Sequence, residues 1–187
     1  MELKERLVKH FEFTNEDWNI TEKYIDYVQL KAKEFFLHEG KVSDRIGVVK
    51  SGLLRTYFFD ENGDEITTQF FVPGTLVISN VSFNRQIPSK ENIIAIEPSE
   101  LIVFTYHNMQ ELIQKVPVWQ KVPIAAAEHK NRQKEKRILE FQTMPAKQRY
   151  LNFIEKHPQV CRSATVGQIA SYLGIDIATL SRIRKKI

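Results

Sequence analysis

Apolar residues open the chain at helical spacing, Leu3, Leu7 and Phe11, and the same period continues from Trp18 towards Tyr27. The period then shortens. KEFFLHEG, RIGVVKSG, LLRTYFFD, EITTQFFV, NIIAIEPS and ELIVFTY are each a few residues long, rich in β-branched and aromatic side chains, and bounded by Gly, Pro, Asn, Asp or Ser. Between about residues 28 and 105 this predicts an all-β region, a double sheet or jelly roll that shields its edges by its own curvature. Its clearest hairpin is LLRTYFFDENGDEITTQFF, where Asn62-Gly63 can supply the left-handed conformations of a tight reversal.

From about Tyr106 the helical period returns, through Met109, Leu112, Ile113 and Val116, then Val122, Ile124, Ala125 and Ala126, and it gives way to NRQKEKRILEF. Pro117 and Pro123 predict interruptions or kinks. The apolar side of this helix has two readings: a seam between two copies of the chain through Met109, Leu112, Ile113 and Val116, or packing against its own sheet. Paired DNA half-sites, if the chain reads DNA, favour the seam. Around Pro145 a last module begins. In AKQRYLNFIEKHP, Tyr150, Leu151 and Ile154 form an apolar helical face that His157-Pro158 ends.

The closing VGQIASYLGIDIATLSRIRKKI divides into two helices. Ile169, Ala170 and Leu173 turn inward in the first, Gly174 supplies a left-handed end, and Asp176 caps a second whose Leu180 and Ile183 complete a shared core. This joint spacing is that of a helix-turn-helix. The whole is therefore expected to be a mixed α+β chain: an N-terminal double-stranded β-helix over residues 1–105, a linking helix over 106–141, and a C-terminal winged helix-turn-helix over 142–187.

Composition adds limits. Hydrophobic residues make up 42% and charged residues 27% of 187, which is enough for a packed core and argues against wholesale disorder. MELKERLVKHFEF is charged, and no long apolar run follows, so a cytoplasmic chain with no membrane association is expected. Cys161 is the single cysteine; with His157 alone beside it, neither a disulfide nor a metal site is completed. Asp60, Glu61, Asp64 and Glu65 crowd the hairpin tip, where carboxylates suit a solvated turn. No phosphate-cradling glycine loop and no nucleophile–base set stands out, so no enzyme is expected.

The net charge of +4 is unevenly distributed. Residues 1–129 carry 14 Lys/Arg against 19 Asp/Glu, whereas 130–187 carry 13 against 4, a local excess of +9. A concentrated basic region is the footprint of a polyanion binder. On the second helix, Arg182 is the candidate for a bidentate contact to guanine, Thr179 and Ser181 for phosphate or sugar, and Arg184 and Lys185 for the backbone. Ile177 and Ala178 cannot hydrogen-bond bases; they suit a thymine methyl or a close approach. Gln168, at the start of the first helix, joins this group.

LHEGKVSDRIGVVKSGLLRTYF, FFVPG and TVGQIASYLGIDIATLSRIRKKI resemble the Crp/Fnr transcription regulators, and AKQRYLNFIEKHP, LG and TLSRIRKK are similar to an orphan branch common in Bacteroidetes-type bacteria. The resemblance implies a β-roll effector domain, a helix that pairs two subunits, and binding to a two-fold symmetric DNA operator as a homodimer, with RNA polymerase as a further partner. A wing, absent after the second helix, would fall in QVCRSATV.

The resemblance also marks departures. Relatives that bind a cyclic nucleotide carry a Gly-Glu pair and an Arg followed by Ser or Thr. Here VISNVSFNRQIPSKENIIAIEPSE has no Gly-Glu, Ser89 stands where the phosphate Arg belongs, and Lys90 and Arg85 are the remaining cations. Cyclic AMP is therefore not expected, no cofactor is required, and a small-molecule effector is left unidentified. The N-terminal cysteines of the oxygen-sensing members are missing. Two other classes stand beside the regulator: a ligand-sensing or protein-interaction module with weak DNA binding, and a cupin-like metal enzyme, for which His38 and Glu39 lack a His-x-His partner.

Overall fold

The computed structural model describes residues 3–186. Two short helices, α1 (Leu3–Phe11) and α2 (Asn15–Thr21), precede the sheet; α2 is held at its start by a capping box in which Thr14 and Asp17 satisfy each other's backbone amides. The helical period does not reach Tyr27, because the chain turns at Glu22–Tyr24 and enters a strand at Asp26.

Six strands follow: β1 (Asp26–Leu30), β2 (Phe35–Leu37), β3 (Arg45–Phe59), β4 (Glu65–Phe71), β5 (Leu76–Val77) and β6 (Asn92–Thr105). All pair antiparallel, in the order β1-β6-β3-β4, with β2 on β6 and β5 on β3. RIGVVKSG and LLRTYFFD merge into β3, and NIIAIEPS and ELIVFTY into β6, because the expected turns are bulges rather than reversals. Register slips between Val49 and Ser51, Ser51 and Leu53, and Leu53 and Leu54 bend the β3–β6 ladder. At the bend Gly52 has φ +94°, and a Cβ there would lie 2.2 Å from Ser99 Oγ, so a side chain is excluded on both counts.

The β3–β4 hairpin closes over Asp60–Asp64. Only Gly63 of the Asn62-Gly63 pair is left-handed, with φ +84°. The second constraint is the Asp60 carboxylate, which accepts from the amides of Asn62 and Asp64, both at 2.9 Å.

After α3 (Asn80–Arg85) and β6, the expected linking helix is two helices. α4 (Tyr106–Lys115) ends at Val116, Pro117–Gln120 form a 3-10 turn, and α5 (Lys121–Thr143) runs for 23 residues with Pro123 in its first turn. Met109, Leu112 and Val116 are buried with Leu7, Phe13, Ile46, Phe104 and Trp119, and Ile113 packs on the same cluster. The dimer seam expected on these four residues is therefore corrected: Met109, Leu112 and Val116 are consumed within the chain and are not available to a second copy, and Ile113 is half-buried on the same cluster.

The C-terminal helices are α6 (Ala146–Lys156), α7 (Pro158–Ser163), α8 (Val166–Leu173) and α9 (Ile177–Arg184). The wing expected in QVCRSATV is also corrected, since Pro158 starts α7 there and its fixed φ suits a first helical turn. These helices share a core with the sheet. Tyr150, Phe153, Ile169, Ala170, Leu173 and Leu180 cluster with Leu53, and Phe70, Val72 and Ile96 pack on them. Among the described residues no helix is long and apolar enough to cross a membrane.

Candidate nucleic-acid interface

The geometry of α8 and α9 follows from their caps. Thr165 opens α8 with a capping box: its hydroxyl accepts from the Gln168 amide at 3.2 Å, and the Gln168 side-chain oxygen accepts from the Thr165 amide at 2.9 Å. Gly174 closes α8 at φ +57°, and its amide donates to Ser171 at 3.2 Å. Two residues later Asp176 caps α9, accepting from the Thr179 amide at 2.9 Å; that backbone bond holds the Asp176 carboxyl below its ordinary value. Ala170 is fully buried where the helices cross, and Leu180 anchors α9 from beneath.

At 3.6 residues per turn, anchoring α9 through Leu180 and Ile183 turns Ile177, Ala178, Ser181, Arg182 and Lys185 onto one outward face. Ile177 is 57% exposed. The Arg182 guanidinium folds back along its own helix, donating to Thr179 Oγ1 at 3.0 Å and to the Ala178 carbonyl at 3.4 Å. Thr179 thus lies at one edge of the face, holding Arg182. Arg184 lies at the other, where its charge opposes the burial that raises Tyr150 and Cys161. Gln168 sits at the start of α8 with its oxygen engaged in the cap, which leaves its NH2 group as the donor it can offer.

Sequence reasoning missed what lies behind this face. Arg137 of α5 donates to the Thr68 carbonyl at 2.9 Å and stacks on Tyr172, 4.2 Å from the ring centre, while its Nε is buried without a partner. Burial lowers its pKa. Arg149 of α6 donates to the carbonyls of Leu173, Met144 and Gly174 at 3.2, 2.8 and 3.2 Å, gathering the C-terminal ends of α8 and α5 on one cation. Basic residues at helical spacing are visible in the sequence, but which of them meet carbonyl ends is decided by the packing.

The docking of these helices on the sheet is polar as well as apolar. Ser171 of α8 accepts from the Thr67 amide at 2.9 Å and donates to the Glu65 carbonyl at 3.1 Å. Gln159 of α7 donates to the Gly52 carbonyl at 3.0 Å and to Glu97 at 2.9 Å, and Ser163 donates to Glu97 at 2.5 Å.

The three effector-pocket candidates are not brought together. Ser89 is buried, but its hydroxyl donates to the Glu91 carbonyl at 2.8 Å and accepts from the Glu91 amide at 3.1 Å, closing its own loop. Arg85 ends α3 and Lys90 follows Ser89, both exposed. The buried guanidinium of the sheet is Arg55, which donates to Glu65 and, at 3.0 Å, to Thr67 Oγ1, and stacks on Tyr57 at 4.2 Å. An arginine inside the apolar run LLRTYFF was the available signal. Burial lowers the pKa of Lys130 of α5, and the Glu91 carboxylate opposes the shift.

Residues 27–116, which take in nearly all of the sheet with α3 and α4, match the family model of the cyclic nucleotide-binding domain. Among curated proteins, the chain is 26% identical to the anaerobic regulatory protein of Pasteurella multocida, over 82% of this chain and 60% of that one. It is 24% identical to the transcriptional activator protein Anr of Pseudomonas protegens, over 82% and 67%. The chain thus spans about 60% of the length of the first of these relatives. Among solved structures, FixK2 from Bradyrhizobium japonicum superposes with a TM-score of 0.72 at 18% identity, covering 87% of this chain and 83% of that one. The c-di-GMP responsive regulator CLP of Xanthomonas campestris gives 0.70 at 11% identity, covering 92% and 91%. These likenesses concern the fold.

Proposed function

We propose that the chain is a sequence-specific DNA-binding transcription regulator of the Crp/Fnr type, working as a homodimer and carrying no catalytic role. The observation that carries this reading is the outward face of α9: a helix capped at its start, anchored by one buried leucine, with Ile177, Ala178, Arg182 and the capping Lys185 exposed and Ser181 half-buried among them. A helix so mounted fits the major groove, with Arg182 over a guanine edge and Lys185 and Arg184 on phosphates. The similarity to regulators named as transcriptional activators supports it.

The partner copy is expected on α5 rather than α4. Ile124 and Ile138 are 60% and 55% exposed, and with Asn131 they recur every seven residues. That is the spacing of a two-stranded seam with a polar residue at its middle. A symmetric pair joined there would meet two half-sites. The effector reading is that the domain responds to something other than cyclic AMP, because Ser89 is committed to its loop and Arg85 and Lys90 are both exposed. RNA polymerase is the partner through which activation would be exerted.

Selection from a randomised duplex library near 0.1 M salt tests the reading. The expected result is a two-fold symmetric motif with half-sites about one helical turn apart. Arg182→Ala should weaken binding to the selected duplex by about 5- to 150-fold, corresponding to ~1–3 kcal/mol, and relax one guanine position. Binding with no enrichment, or enrichment indifferent to Arg182, would refute it. A folded chain that binds no duplex would favour the protein-interaction reading.

A further inference from the structure

Between α5, α6 and the end of α8 lies an open cleft of about 430 Å³, within the size range of small-ligand sites. Arg132, Lys136, Arg137, Arg149 and Lys156 line it together with His129 and His157. Its lining holds one carboxylate, Glu140, which Lys156 approaches at 3.5 Å.

The cations are not equally committed. Arg149 is used up on three carbonyl groups, as described above. Arg137 keeps a buried Nε with no partner, and a donor left unmade away from water is a standing cost that an acceptor would remove. Arg132 has only Glu128 nearby, at 3.8 Å with both side chains about two-thirds exposed, a contact worth little. Lys136 is exposed. The floor is apolar: Phe141, Phe153, Tyr172 and Leu173.

This cleft is separate from both surfaces already assigned. No residue of α9 lines it. On α5 its lining residues His129, Gln133, Lys136, Arg137 and Glu140 lie on the side roughly opposite Ile124, Asn131 and Ile138 at 3.6 residues per turn, with Arg132 and Phe141 on the two flanks, so the centre of the cleft faces away from that seam.

We propose that the cleft binds an organic polyphosphate, its phosphates held by Arg132, Lys136 and Lys156 beside the charge of the Arg137 guanidinium, its organic part resting on the apolar floor. Adjacent phosphates match several cations converging from two walls, and charge-assisted bonds to guanidinium are the strong ones. One wall is α5 and the other is α6 with α8, so the bound anion ties the long helix to the C-terminal bundle. Binding displaces the Lys156–Glu140 contact.

Titration calorimetry of the full chain near 0.1 M salt tests this with ATP, inorganic pyrophosphate and adenosine as probes. ATP is expected to saturate one site per chain and adenosine to give no saturable heat. The R132Q/K136Q double variant, whose positions are exposed and helical, should bind ATP at least about tenfold more weakly. ATP binding more tightly than pyrophosphate would support the proposal; pyrophosphate binding as tightly as ATP would overturn its organic part and leave a site for inorganic polyphosphate. No saturable binding by any probe would overturn the proposal. So would ATP binding that survives R132Q/K136Q and disappears in Arg182→Ala, because the anion would then sit on α9.

Discussion

At the scale of single residues, two positions constrain the molecule more than their chemistry suggests. Gly52 combines φ +94° with a Cβ position 2.2 Å from Ser99 Oγ, and Ser99 is itself fixed by donating to the Glu97 carbonyl at 2.7 Å. Gly52→Ala should cost about 2 kcal/mol or more, read as a fall in the urea midpoint with an unchanged slope. His157 is the titrating counterpart. Burial, then the neighbouring Lys156, hold its imidazole below the ordinary 6.5, and Glu140 opposes them. The unfolded chain therefore takes up a proton as pH falls through about 6.5 while the folded chain does not. Stability should decline from there down to the depressed folded value, with no contribution above 6.5. Melting scans between about pH 5 and 7 should show a shallower decline in His157→Gln than in the parent.

At the scale of elements, α5 carries the seam proposed above. Its exposed Ile124, Ile138 and Leu139 stand opposite its sheet-facing Arg137. In the proposed dimer, Ile138→Glu removes one apolar contact per copy and places two like charges at the seam. Sedimentation should show the dimer constant weakened by about tenfold or more, with the circular dichroism of the monomer unchanged. The same reasoning applied to α8 is local. Thr165→Ala deletes a capping box and should lower stability by about 1 kcal/mol in a denaturant titration.

At the scale of the whole molecule, the C-terminal helices are not an independent appendage. Leu53, Phe70 and Ile96 of the sheet, with Val72 just after β4, lie in the same apolar cluster as Tyr150, Phe153 and Leu173. Ser171, Gln159 and Ser163 add bonds to Thr67, Glu65, Gly52 and Glu97 across the same boundary. Far-ultraviolet dichroism, which reports mostly on the helices, and fluorescence from Trp119, buried in the N-terminal core, should melt together. Ser171→Ala strands the Thr67 amide and should cost about 1–3 kcal/mol; transitions that separate in that variant but coincide in the parent would identify Ser171 as part of what couples the two regions.

Much of this is legible in the sequence. The period-two runs foretold the sheet, and Gly174, Asp176, Leu180 and Ile183 foretold the pair of C-terminal helices, because caps and inward positions are local and follow from backbone chemistry within a few residues. The effector candidates and the seam were not legible in the same way. Whether Met109, Leu112 and Val116 face a second copy or their own core depends on Phe104 and Trp119 arriving from elsewhere in the chain, and an apolar face reads the same in either case. Likewise, Ser89 looks like a vacant phosphate position until its loop closes on Glu91. Periodicity and capping by themselves determined the elements; the tertiary structure alone decided which faces were consumed in packing, and gathered Arg132, Lys136, Arg137 and Lys156 around one cleft, because burial is a property of the assembled chain.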